Sequence, residues 1–101
     1  MTGLCVVITT TGTKDLAQQI ARELVASDLS SCAQISEVES IYKWDGKIHD
    51  DPEYRLVIKA KKSSKKMIIA KIKEMHDYDL PQIITIDISG GDAEYMKWLS
   101  L

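Results

Sequence analysis

The dipeptide Asp45-Gly46 constrains this chain more than any other feature, because it stands between two long strand-like runs, Cys32 to Trp44 and Lys47 to Ala60. Asp and Gly both tolerate the positive φ that a two-residue turn demands, so the pair reads as a tight β-hairpin. At ~3.3 Å per residue the first arm would be roughly 40 Å long. The apolar helix pattern before it, Lys14 to Asp28, reaches only about 22 Å at ~1.5 Å per residue. The tip must overhang any helix layer, and a two-stranded ribbon with open edges is marginal in water. The mismatch in length by itself predicts association with other chains.

The remaining elements alternate around this hairpin. Leu4 to Thr9 is a β-branched strand ending in the turn Thr9-Thr10-Thr11-Gly12-Thr13. Leu16, Ile20 and Leu24, with Ala17, Ala21 and Val25 beside them, make one helix face, capped by Thr13 and with Asp15 at the positive end of its dipole. Ser63 or Ser64 caps a second helix whose apolar side is Ile68, Ile69, Ile72 and Met75, and Asp77 to Pro81 ends it. Ile83, Ile84, Ile86 and Ile88 form a fourth strand, Gly90-Gly91 a turn, and Asp92 caps a short terminal helix with Tyr95, Trp98 and Leu99.

The order βαββαβα, with right-handed crossovers, gives an α+β, ferredoxin-like fold. It consists of an antiparallel sheet with two helices on one face, a long central hairpin and a short C-terminal helix. Within the second strand the apolar residues change parity, from Ala33 and Ile35 to Val38, Tyr42 and Trp44, which predicts a bulge in Ser36 to Glu39. Pro52 cannot donate to a ladder and predicts an unpaired or edge position. A chain of 101 residues supports one core, so residues 1–101 are read as a single domain.

Charge and cysteine usage exclude several classes of function. With 13 basic and 15 acidic residues the net charge is −2, which offers no general attraction to nucleic acid or to anionic membrane. The apolar run Leu4 to Ile8 is far too short for a signal peptide or a membrane span, so the expected location is cytoplasmic. Cys5 and Cys32 form no CxxC pair and belong to strands separated by a third, which predicts buried, reduced thiols. No GxSxG, HExxH or phosphate-cradling GxxxxGK[ST] sequence occurs, and the loop after the first strand has no Arg. Catalysis is not expected.

Four clusters carry chemistry. Tyr42 and Trp44 share a strand face and suit base stacking, a ligand wall or a subunit anchor; nearby Asp45, Asp50, Asp51 and Glu53 repel phosphate and favour the anchor. His49, Asp50, Asp51 and Glu53 have donors for a divalent cation, yet adjacent strand residues point to opposite faces, so a solvated loop is the simpler account. Lys59, Lys61, Lys62, Lys65, Lys66, Lys71 and Lys73 read mainly as the wet face of the second helix, with Lys59 distinct because it alternates with Ile58. His76, after Met75, could serve a soft metal, or could be a hydrogen-bonded histidine at a helix end.

The spaced pattern Tyr42-x-Trp44-x-Gly46-Lys47, Glu53-x-x-Leu56-x-Ile58-Lys59, His76-x-Tyr78-x-x-Pro81 and Gly91-Asp92-x-x-Tyr95-x-x-Trp98 resembles the CutA family of divalent-cation tolerance proteins, as does Ser31-Cys32-Ala33. The resemblance implies a homotrimer with the hairpin wrapped onto its neighbours, similar to the PII signal proteins. It implies a link to copper or another divalent cation, with no metal needed for folding, no catalytic step, and neither nucleic acid nor membrane as partner. Carried over by position, Tyr42, Trp44, Lys47, Glu53, Lys59, Tyr95 and Trp98 would surround clefts between subunits, and Cys32 and His76 would be the soft metal donors. An alternative is a PII-like sensor that holds a small anionic ligand with Lys47, Lys59 and Trp44. Asp77, Gln82 and Ala60 depart from the residues usual in the family, and Thr9 lies where some members carry a thiol.

Overall fold

Eight residues at the start and fifteen around the middle set the sheet. In the computed structural model, which describes residues 2–101, β1 (Leu4–Thr11) pairs antiparallel with β3 (Lys47–Lys61) on one side and β4 (Ile83–Asp87) on the other. The second strand, β2 (Cys32–Trp44), closes the order β2-β3-β1-β4. Two helices, α1 (Lys14–Ala26) and α2 (Lys65–Met75), cover one face, and α3 (Ala93–Leu99) follows the last strand. This is the ferredoxin-like arrangement expected from the element order.

Local signals work as the residue types dictate. Thr13 Oγ1 accepts from the Leu16 N–H at 3.2 Å and Asp92 Oδ2 from the Tyr95 N–H at 3.0 Å, which satisfies amides that a helix start leaves unpaired. Ser64, by contrast, makes no side-chain cap, because a 3₁₀ turn over Lys62–Ser64 leads directly into α2. Asp45 and Gly46 both take positive φ, 53° and 73°, as a type I′ hairpin requires. The core lies between the helices and one sheet face. Ile20 and Leu24 of α1 and Ile68 and Ile72 of α2 are fully buried against Cys5, Val7, Leu56 and Ile58.

The expected bulge in Ser36 to Glu39 is absent. Pairing runs without a slip from Cys32↔Lys59 to Trp44↔Lys47. The apolar parity changes because coverage changes: Ala33 and Ile35 face the helices near the core, whereas Val38, Tyr42 and Trp44 lie on the opposite face. His49 to Glu53 is likewise ladder and not loop. Pro52 is tolerated because β1 stops pairing at Tyr54, which leaves that side of β3 free.

Beyond that point the rungs from Val38↔Glu53 to Trp44↔Lys47 continue as a lone ribbon. The molecule is therefore elongated, 45 × 25 × 21 Å. The sheet face away from the helices carries Val6, Ile8, Val57, Ile84 and Ile86, and the last two are 48% and 52% exposed. Cys5 is buried and free, as expected, but Cys32 is free and only half-buried. It pairs with Lys59 on the face turned away from α1 and α2.

Candidate functional site

Alternation along the unbroken hairpin puts Tyr42, Asp51 and Glu53 on the uncovered face, next to one another across the two strands. The chain leaving α2 crosses the same region and adds Tyr78, Asp79, Leu80, Pro81 and Gln82. Together with Thr10 and Trp44 they enclose a groove of about 800 Å³. Its walls are aromatic and apolar, its charges are Asp51, Glu53 and Asp79, and neither Lys nor Arg lines it.

Two phenols organise the groove. Tyr42 Oη donates to Asp51 Oδ2 at 2.6 Å, and the Tyr42 ring stacks on His49 with centroids 5.2 Å apart. Tyr78 Oη donates to Glu53 Oε2 at 3.0 Å. Burial first, and then this bond, push the Tyr78 phenol up to about 12. The bond to Asp51 raises Tyr42 in the same direction. Both rings therefore stay neutral and act as donors. Tyr78 also lies over Gly12, where a Cβ would come within 3.0 Å of its hydroxyl, so the absence of a side chain there makes room for the ring.

His76 fixes the approach of this segment. It ends α2 with its N–H bonded to Ile72 O at 2.8 Å, and its side chain is completely buried. Nδ1 accepts from the Tyr78 N–H at 3.1 Å, which leaves Nε2 as the protonated nitrogen donating to Thr10 O at 2.7 Å. Its ring sits 4.7 Å from that of Tyr78.

The sequence-derived site residues fall into three places on one subunit. Trp44 and Lys47 form the last rung of the hairpin. Tyr42 and Glu53 belong to the groove. Lys59, Tyr95 and Trp98 gather at the other end, where Lys59 Nζ donates to Tyr95 Oη at 3.0 Å, lies 5.2 Å from the ring centroid, and Tyr95 packs 5.7 Å from Trp98. Cys32 belongs to that far end, as the cross-strand partner of Lys59, whereas His76 stands beside the groove. Among the described residues no three of His, Cys, Asp and Glu stand close enough to hold a metal ion. Both His76 nitrogens are already engaged, so within one subunit the donors do not fit a metal.

Asp51 was weighed from sequence only within the His49 to Glu53 cluster and set aside as solvated loop, and Tyr78 entered only as part of the family pattern. Counting rungs outward from Asp45-Gly46 places Ser40 opposite Asp51 and Tyr42 opposite His49, and that count would have found Asp51. Tyr78 joins through a contact 25 positions away, which no local pattern encodes.

The sequence profile of the CutA1 divalent ion tolerance protein matches residues 5–101. The chain belongs to the CutA1 family. It is 33% identical over 96 residues to the divalent-cation tolerance protein CutA of Pyrococcus horikoshii, with 95% of this chain and 94% of that protein covered. It is 34% identical over 95 residues to the chloroplastic CutA 1 of rice, covering 93% of this chain. The chain spans about half the length of the two plant relatives, 54% of the rice and 52% of the Arabidopsis protein. Among solved CutA1 structures, that of Thermus thermophilus superposes with a TM-score of 0.90 at 32% identity, covering 96% of this chain and 95% of that one. The CutA1 of a psychrotrophic Shewanella gives 0.91 at 35% identity, with 96% and 92% covered. The family is named for tolerance of divalent ions, and its name describes no reaction.

Proposed function

We propose that this chain works as a non-catalytic homotrimer in the response to divalent metal ions, copper foremost, through clefts formed where subunits meet. The single observation that carries the reading is an apolar surface left open on one subunit. Ile84 and Ile86 stand bare on the sheet, and Tyr42 and Trp44 are 43% and 53% exposed on a ribbon with no third strand beside it. Aromatic anchors of this kind favour burial between chains. The reading invokes neither nucleic acid nor membrane as partner, because a net charge of −2 offers no general attraction to either. Two free thiols suit a reducing compartment such as the cytoplasm.

A metal contact would have to combine donors of neighbouring subunits, since Cys32 and His76 lie apart on one. Native mass spectrometry at low concentration and copper titration of the tag-free protein test both halves. A monomeric mass refutes the assembly. Absence of stoichiometric copper binding, or binding unchanged in His76→Ala and Cys32→Ser, refutes the metal contact. A second reading, a small anion held in the cleft by Lys47 and Lys59 beside Trp44, draws on Lys59, whose ammonium meets a phenol. A change in Trp fluorescence on adding an anionic ligand without metal would favour it.

A further inference from the structure

We propose that the ribbon docks, by the face opposite Tyr42 and Trp44, on the lysine-bearing side of α2 in a second trimer. On that face Tyr54 still packs against the core, but beyond it Ile41 and Ile48 are 67% and 75% exposed. Two isoleucines so bare on one side of a ribbon make an apolar patch that calls for cover. Acids surround them. Glu37, Glu39 and Asp50, with Val38 and Pro52, line a concavity of about 540 Å³ into which no Lys or Arg reaches. None of the three acids forms an ion pair among the described residues. A hydrogen bond with Asp50 first, and then the Asp50 charge, raise the Glu39 carboxyl, as expected of two acids crowded together with no cation between them.

The complementary surface is on the same chain. Lys71 is paired with Glu23 and Glu74, and Lys62 with Asp87, whereas Lys66 and Lys73 are exposed and pair with no acid among the described residues. Seven residues apart, those two stand on one side of α2 at an interval of about 10 Å. Between them lie Met67, 62% exposed, and Ala70. Bases thus flank an apolar strip on the helix as acids flank one on the ribbon. Glu37 and Asp50 are about 13 Å apart along the ribbon, an interval that two long lysine side chains span. The ion pairs would set the orientation and the isoleucines the burial. A chain cannot close this contact on itself, because its own α2 packs on the core through Ile68 and Ile72 with the lysines turned outward. Both surfaces lie away from the sheet face assigned to the trimer, so both stay free in it. They also differ from each other, so the contact is heterologous and joins successive assemblies.

The test is sedimentation velocity of the tag-free protein at about 50 mM and about 500 mM salt, because the higher salt screens contacts between exposed charges. The high-salt mass reports the trimer and the low-salt increment this contact, so the two readings fail separately. A larger, concentration-dependent mass is expected at low salt. Glu39→Lys with Asp50→Lys, and separately Lys66→Glu with Lys73→Glu, should each return it to the high-salt value. An equimolar mixture of the two variants should recover the larger mass, since each then offers the other an opposite charge. All four positions are exposed, and the single change Ile48→Asp, which should also lower the low-salt mass, decides if a double variant fails to fold. Equal mass at both salts, an undiminished low-salt mass in either variant, or a mixture that stays small overturns the proposal. So does a rise in low-salt mass in Glu39→Gln with Asp50→Asn, because the acids would then be guarding the ribbon against association.

Discussion

The bond between Tyr78 and Glu53 can be tested through a phenol that ionises unusually late. Its two largest causes are separable: burial of the ring, then the 3.0 Å bond to the Glu53 carboxylate. Replacing Glu53 with Gln keeps an acceptor and removes its charge. A hydrogen bond to a charged group contributes ~1.5–3 kcal/mol when sheltered, but both partners here are partly in water, which reduces it to about 1 kcal/mol. One kcal/mol corresponds to about 0.7 of a pH unit. The Tyr78 ionisation in Glu53→Gln is therefore expected to fall from about 12 by about 0.7, staying above the ordinary value of 10 because burial persists. Ring-labelled tyrosine NMR reads it, over the range in which circular dichroism shows the fold intact. The sign for stability follows from the raised value: the contribution of Tyr78 is complete below pH 10 and is lost as pH rises through 12. In a double-mutant cycle at pH 7, Tyr78→Phe and Glu53→Gln should each cost about 1 kcal/mol and together little more than either alone. Strictly additive losses, or a Tyr78 ionisation indifferent to Glu53, would refute the reasoning.

Three further outcomes are expected. Thr9 Oγ1 is buried without a hydrogen-bond partner, so Thr9→Val should raise stability by about 1 kcal/mol in urea unfolding; a loss would mean that the hydroxyl has a partner. Gly46 sits at φ 73° in open space, so Gly46→Ala should cost about 1 kcal/mol through backbone strain alone, while circular dichroism stays unchanged. If the proposed trimer forms through the bare sheet face, Ile86→Asp places a charge there and should lower the native mass to that of a monomer, whereas an unchanged mass would refute that contact.

How much of this was legible depended on whether the deciding interaction is local. The Asp45-Gly46 turn, the caps at Thr13 and Asp92 and the apolar stripe of α1 are set by residues within one turn of each other, and all three could be read directly. The supposed bulge failed because a change in hydrophobic parity has two physical origins. An extra residue can rotate the strand, or the strand can leave the shelter of the helices, and only the structure tells them apart. The solvated loop at His49 to Glu53 failed for a related reason. Pro52 forbids a ladder bond on one side only, and the end of β1 had already freed that side. Burial of His76 and its bond to Thr10 O join positions 66 apart. The groove depends on that closure, so its shape was out of reach of any pattern along the chain.

Because pairing never slips between Cys32↔Lys59 and Trp44↔Lys47, adding two residues to each arm in step would leave every existing side chain on its own face. Each such addition would move the tip outward by about 7 Å and leave the helix layer untouched. Reach in this fold is thus a dimension set apart from stability. The ribbon is a gauge whose length fixes how far apart its two ends hold whatever they touch.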